Sequence, residues 1–183
     1  MRILGVDEVG RGCFAGPVVA VAIVLKDGFY DKRIIDSKKL AENKRVVLAE
    51  LIKENMLDCG IGVVCAGLID KLNILRATKQ AMQMAISRIR VGYDRVVIDA
   101  VKLNNLNTPY EAHIKAEDKF MEVAAASIVA KVYRDNLMKD MHYLFPQYNW
   151  YKNKGYGTPD HIEAIRKFGI TSLHRKTFLK GIK

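Results

Sequence analysis

The sequence lacks any apolar run long enough to cross a bilayer. Its longest, Val18 to Leu25, is far shorter than the ~20 residues a spanning helix requires. It lacks the features of a secretory leader too: the first residues carry one basic side chain, Arg2, and a short apolar stretch stopped by Asp7 and Glu8. Cysteine is scarce, and Cys13, Cys59 and Cys65 have no CxxC spacing, so neither a disulfide framework nor a zinc site is expected. A reducing, cytoplasmic setting fits that usage. Repeats, low-complexity tracts and Pro/Gly-rich linkers are absent as well, which leaves a single domain over residues 1–183 as the expectation. Acidic residues are the minority charge: 30 Lys and Arg against 20 Asp and Glu give a formal charge of +10. That excess favours polyanionic partners, nucleic acid above all, and no membrane.

What the chain does contain is a succession of short apolar segments broken by helical periodicities. Arg2–Val6 and Val18–Val24 read as two strands, expected to be antiparallel neighbours across a turn marked by Gly10, Gly12, Gly16 and Pro17. A helix is expected over roughly Ala41–Glu54, with Val47, Leu48, Leu51 and Ile52 on its inner face, then a strand at Cys59–Val64. A longer helix over Ile74–Ile89 presents Leu75, Thr78, Met82, Ile86 and Ile89 at helical spacing. Arg95–Ile98 reads as a strand ending at Asp99, and Ala112–Lys115 as a short fifth strand. An alanine-rich helix from Met121 to about Tyr143 is stopped by Pro146. A last helix starts at Thr158-Pro159 and ends before Gly169. Strands first, then strands alternating with helices, argue for an α/β fold: a mixed sheet flanked by helices.

Asp7 and Glu8 at the end of the first strand, and Asp99 at the end of the fourth, are acids placed where α/β sheets bind ligands. Consecutive strand residues face opposite ways, so the following glycines are expected to turn the chain and let both Asp7 and Glu8 reach one centre. Carboxylates forced together repel and take up protons unless a cation intervenes. Oxygen-only ligands suit Mg²⁺ or Mn²⁺. Any one of these acids, taken singly, reads equally well as a turn residue, a cap or a surface charge.

The motifs Gly5-Val6-Asp7-Glu8-Val9-Gly10-Arg11-Gly12 with Ala15-Gly16-Pro17-Val18-Val19, Asp36-Ser37-Lys38-Lys39-Leu40, Asn73-Ile74-Leu75-Arg76-Ala77-Thr78 and Val97-Ile98-Asp99 occur in that order. Ala125-Ala126-Ser127-Ile128-Val129-Ala130-Lys131-Val132 with Arg134-Asp135, then Lys154-Gly155-Tyr156-Gly157-Thr158 and His174-Arg175, complete the series. Together they resemble bacterial ribonuclease HII over nearly the whole chain. The resemblance implies an RNase H-like fold and two-metal-ion hydrolysis of the RNA strand of RNA–DNA hybrids. Cleavage would fall 5′ of ribonucleotides embedded in duplex DNA, serving ribonucleotide removal, RNA primer removal and DNA repair by a monomer. It implies that Asp7, Glu8 and Asp99 bind the metals, that Gly10, Arg11 and Gly12 read the ribose 2′-hydroxyl, and that Tyr156 stacks on the adjoining deoxyribose.

The fourth acid departs from the family pattern. Counting back from Ser127 lands on Glu117, with Lys115 in register, while a one-residue shift would present Asp118. Lys38 and Lys39 are candidate phosphate contacts or a solvated helix approach. Asn73 and Thr78 are either phosphate ligands or a cap and a core residue. Asp135 is expected to pair with a nearby Arg, the four histidines to be surface or locally hydrogen-bonded groups, and Arg175, Lys176, Lys180 and Lys183 to form a solvated basic tail.

Overall fold

The computed structural model describes residues 1–35, 41–103 and 108–182; Lys38, Lys39 and Lys183 lie outside the described residues. Five strands form one mixed sheet: β1 (Ile3–Val9), β2 (Val18–Leu25), β3 (Met56–Val64), β4 (Arg95–Asp99) and β5 (Tyr110–His113), in the order β3-β2-β1-β4-β5. β1 and β3 flank β2 in antiparallel sense, whereas β4 pairs with both β1 and β5 in parallel. Every residue of β2 is buried, the pattern of a strand covered on both faces. Val19, Val21 and Ile23 face one layer, formed by α2 (Glu42–Asn55) and α5 (Met121–Leu144). Val18, Ala20, Ala22 and Val24 face the other, formed by α4 (Ile74–Ile86), with α3 (Ala66–Leu72) leading into it. No helix among the described residues is long and apolar enough to cross a membrane, and all three cysteines are free thiols.

Small residues decide how closely these layers approach. α5 presents Ala124, Ala125, Ala126 and Ala130 to the sheet, and the backbone of Glu122 and Val123 rides directly over Gly5. A Cβ at Gly5 would lie 2.2 Å from the Glu122 carbonyl carbon, so only glycine allows this contact. On the opposite layer α4 buries Ala77, Thr78, Ala81, Met82, Ala85 and Ile86, while Leu75 is turned out to solvent. Val47 on α2 is likewise exposed, and Leu48, Ala49 and Ile52 make the inner stripe. Leu48, Ile52, Thr78, Met82 and Ile86 lie inward as expected, and Ala49, Ala77, Ala81 and Ala85 complete the inner faces in place of Val47 and Leu75. α3 was not anticipated, and α4 stops one turn earlier than expected, at Ile86.

β1 is longer than anticipated. Asp7, Glu8 and Val9 remain paired with Val21, Ala20 and Val19 of β2, so the acids belong to the strand and the turn starts only at Gly10. The partner strand enforces extended backbone through the acidic pair, overriding the local glycine signal.

After α5 a compact cap is formed by α6 (Trp150–Asn153) and α7 (Pro159–Phe168). Trp150 Nε1 donates to His161 Nε2 at 3.0 Å, and His174 lies 3.2 Å further on. Both histidines are buried, and burial pushes His174 down to about 4, so the pair is neutral near pH 7. Asn73 caps α4, accepting from Arg76 N at 3.1 Å, and the Thr78 hydroxyl donates to the Ile74 carbonyl at 2.8 Å within the core. Both thus take their structural alternatives. Gly5→Ala is expected to push α5 off β1 and to lower the urea-unfolding free energy by about 1–3 kcal/mol, an overpacking cost. A loss below ~0.5 kcal/mol would contradict the close approach.

Candidate active site

The parallel register of β1 and β4 pairs Gly5 with Val97 and Val6 with Ile98. One step further places Asp7 beside Asp99 at the C-terminal ends of adjacent central strands. Val6 and Ile98 point into the α4 layer, so the alternation turns Asp7 and Asp99 together toward α5. There Asp7 accepts a hydrogen bond from the Ser127 hydroxyl of α5, and its Oδ1 accepts from the Glu8 amide at 2.7 Å. Glu8 leaves the strand on the other face. Its side chain is largely buried, held by Arg11 Nη1 at 3.2 Å and hydrogen-bonded to the Asp7 carboxyl, while Oε2 has no hydrogen-bond partner among the described residues.

Just past Asp99 the chain doubles back through Ala100 at φ 51°, and Lys115 at φ 58° opens a 3₁₀ turn, Ala116–Asp118. Asp99 Oδ1 accepts the Ala116 amide at 2.9 Å. The Glu117 carboxyl hydrogen-bonds that of Asp99 and lines a cleft with Ser127, Arg45 and Lys131. Asp118, next along the turn, is exposed. Of the two alternatives, Glu117 is the acid brought to Asp99.

Burial raises the pKa of all three remaining acids. Asp7 is held well above the usual carboxylate range by burial and then by the Glu8 charge, against the opposing pull of Ser127. Glu8 is raised by burial and partly restored by Arg11. Asp99 is raised by burial, with Glu117 adding to the shift and the Ala116 amide opposing it. Among the described residues no three acidic, histidine or cysteine side chains converge into a preformed cage. The donor set nevertheless fits a hard divalent cation: every candidate ligand atom is a carboxylate oxygen, one of them buried without a hydrogen bond, and the groups repel one another unless positive charge is supplied.

Beside the acids lies the glycine turn. Gly10 adopts φ 89°, and a Cβ there would lie 2.2 Å from Arg134 Nε. Arg11 and Gly12 are exposed. Tyr156 presents a ring 38% exposed, 5.8 Å from the Arg134 guanidinium; its hydroxyl bonds Cys13, and burial raises it to about 12. Asp135 pairs with Arg45 at 4.0 Å and Lys131 at 3.6 Å.

The expected solvated tail is a correction. Lys176 and Lys180 are exposed, but Arg175 is fully buried and spends its guanidinium on the carbonyls of the glycine turn. Arg134, also buried, does the same further along the loop. Neither role has a signal in composition or periodicity, because a basic residue near a basic end looks solvated until the fold places it.

A family model described as Ribonuclease HII matches residues 4–180. The chain is 45% identical over 180 residues to ribonuclease HII of Caldanaerobacter subterraneus subsp. tengcongensis, covering 98% of this chain and 75% of that one. It is 48% identical over 179 residues to ribonuclease HII of Ruminiclostridium cellulolyticum, covering 98% and 70%. The crystal structure of ribonuclease H2 from Pyrococcus horikoshii OT3 shares the fold, with a TM-score of 0.83 at 23% identity over 97% of this chain and 93% of that one.

Because the raised acids cost the fold most when charged, replacing one should stabilise the metal-free protein. The raised folded pKa of Asp7 means that its penalty is absent below its unfolded pKa and grows as pH climbs from there toward the folded value. In EDTA, Asp7→Asn is therefore expected to melt above wild type at pH 7–8 and level with it near pH 3. A lower Tm for Asp7→Asn at pH 7–8 would contradict the reading.

Proposed function

The chain belongs to the ribonuclease HII family, and on that premise we propose which of its groups carry the reaction. It is a metal-dependent endoribonuclease of RNA–DNA hybrids. Our reading is that Asp7, Glu8, Asp99 and Glu117 hold the divalent cations, Mg²⁺ or Mn²⁺, and that the cut falls 5′ of a ribonucleotide embedded in DNA or within longer hybrid RNA. The products then carry a 3′-hydroxyl and a 5′-phosphate. The observation that carries this is the proximity of Asp7 to Asp99, one step past the Val6–Ile98 pair at the sheet end, with Glu117 bonded to Asp99.

Bound there, divalent ions supply the positive charge that draws in the scissile phosphate and the acidity that activates water. The chain's own groups do the rest. Ser127 fixes the rotamer of Asp7, and the Ala116 amide fixes that of Asp99. Arg11 shields Glu8 and stands, exposed, where a phosphate oxygen can take it as a partner. The turn at Gly10–Gly12 addresses the 2′-hydroxyl, and the half-exposed Tyr156 ring offers a stacking surface for the next sugar. Lys38 and Lys39 are assigned to phosphate contacts on sequence grounds alone. All four acids come from one chain, so a monomer suffices.

Cleavage of a duplex carrying one ribonucleotide, in Mg²⁺ or Mn²⁺, tests the assignment. Asp99→Asn is expected to lose on the order of 10³-fold in kcat, matching several kcal/mol of charge stabilisation. Glu117→Gln should lose far more than Asp118→Asn, which stays within about twofold of wild type, the range of a neutral surface change. Full cleavage by Asp99→Asn, or the reverse order for Glu117 and Asp118, would overturn the ligand set. Affinity for hybrid should also fall steeply as salt rises, through counterion release, and a flat response would contradict a phosphate-binding surface.

A further inference from the structure

We propose that Arg175 is a positioning residue for ribose recognition, acting through the backbone of the Gly10–Gly12 turn; the proposal rests on that turn being the ribose reader. Arg175 is fully buried, and among the described residues no carboxylate forms an ion pair with it. Burial lowers it to about 10, so the guanidinium remains charged. A buried cation without a counterion is costly unless its donors are fully used. Here they are used on main-chain oxygens. Nη2 donates to Gly10 at 2.6 Å and to Gly16 at 3.0 Å, Nη1 to Arg11 at 2.8 Å and Nε to Gly16 at 3.1 Å. Arg134 completes the set from the other side, on Ala15, Pro17 and Lys154.

The consequence follows from peptide geometry. In a planar trans peptide the carbonyl of one residue and the amide of the next point in opposite directions. Arg175 draws the Gly10 and Arg11 carbonyls inward, which turns the amides of Arg11 and Gly12 outward. Those two residues are exposed, and neither amide donates to a described residue. The turn therefore shows a ligand two fixed donors and no acceptor, from two of its three residues. A ribose 2′-oxygen can accept from them; a deoxyribose carbon cannot. Arg175 arrives from the far end of the chain to impose this: the Arg175 amide donates to Phe14 O at 2.8 Å, and His174 bridges to Ala15.

Arg175→Lys keeps the charge but replaces a planar fork by a single ammonium that cannot hold three carbonyls in place. The experiment measures affinity for a duplex with one ribonucleotide and for the all-DNA duplex of the same sequence, in Ca²⁺ in place of Mg²⁺ to keep strands intact. Both Arg175→Lys and Arg175→Gln are expected to lower the ribonucleotide preference about tenfold or more, as for lost directed hydrogen bonds, with all-DNA affinity nearly unchanged. Leu179→Ala, which loosens the same cap without touching the turn, should keep the preference. Gly12→Pro deletes one outward amide and should lose it. If Gly12→Pro loses the preference while both Arg175 variants keep it, the proposal fails and the ribose-reading turn stands. If Gly12→Pro also keeps it, the reading itself fails and the proposal with it. A loss in Leu179→Ala equal to that in Arg175→Gln, or full rescue by Arg175→Lys, would likewise overturn it.

Discussion

Mutual repulsion among buried carboxylates is the constraint around which the end of this sheet is organised. Asp7 and Asp99 stand on neighbouring parallel strands and face the same helix, Glu117 is folded back onto Asp99, and Glu8 waits at the strand edge. Nothing in packing favours such a gathering. It is held by elements that stabilise the fold for other reasons: the register of β1 on β4, the close seat of α5 over Gly5, and the left-handed turns at Ala100 and Lys115. Burial first, and the neighbouring carboxylates after it, raise the carboxyl pKa values, and positive charge supplied from outside the chain would oppose both.

A second kind of electrostatics operates a few residues away. At the glycine turn the buried groups are cations, Arg134 and Arg175, and what they hold is neutral backbone. The two subsites divide the task. On the proposed reading the acids address the phosphodiester through divalent ions, whereas the turn addresses the one oxygen that distinguishes RNA. Tyr156 is tied to the turn, since Arg134 underlies its ring and also bonds the loop carbonyls. A family that cuts at ribonucleotides needs both, and this fold places them on one rim.

Much of this was legible before any coordinates. β2 announced itself as an unbroken apolar run, and Asp7 and Asp99 were legible as acids near the ends of short apolar strands, where α/β sheets bind ligands. The ordered motifs carried the family. What the sequence did not disclose were matters of partnership. Pairing with β2 kept Asp7 and Glu8 in extended strand against the glycine signal behind them. Leu75 faces water because α4 turns Ala77, Ala81 and Ala85 toward the sheet, and Val47 falls outside the Leu48–Ala49–Ile52 stripe of α2. The choice between Glu117 and Asp118 turned on one residue of register; beyond the left-handed Lys115 the structure bonds Glu117 to Asp99, a turn that no composition encodes. Arg175 looked like part of a solvated tail because its partners are backbone oxygens more than 150 positions away.

On the proposed reading these carboxylates form one cation-dependent unit, and each of Asp7, Glu8 and Asp99 holds its proton more tightly than a free carboxyl group does. Calorimetric titration of Mn²⁺ or Mg²⁺ into the nucleic-acid-free protein, repeated at weakly acidic pH in two buffers of different ionisation enthalpy, measures this directly. The account predicts that ion uptake releases protons, and that Asp99→Asn reduces both uptake and release. Ion binding that exchanges no protons, or that is the same in Asp99→Asn as in wild type, would contradict it.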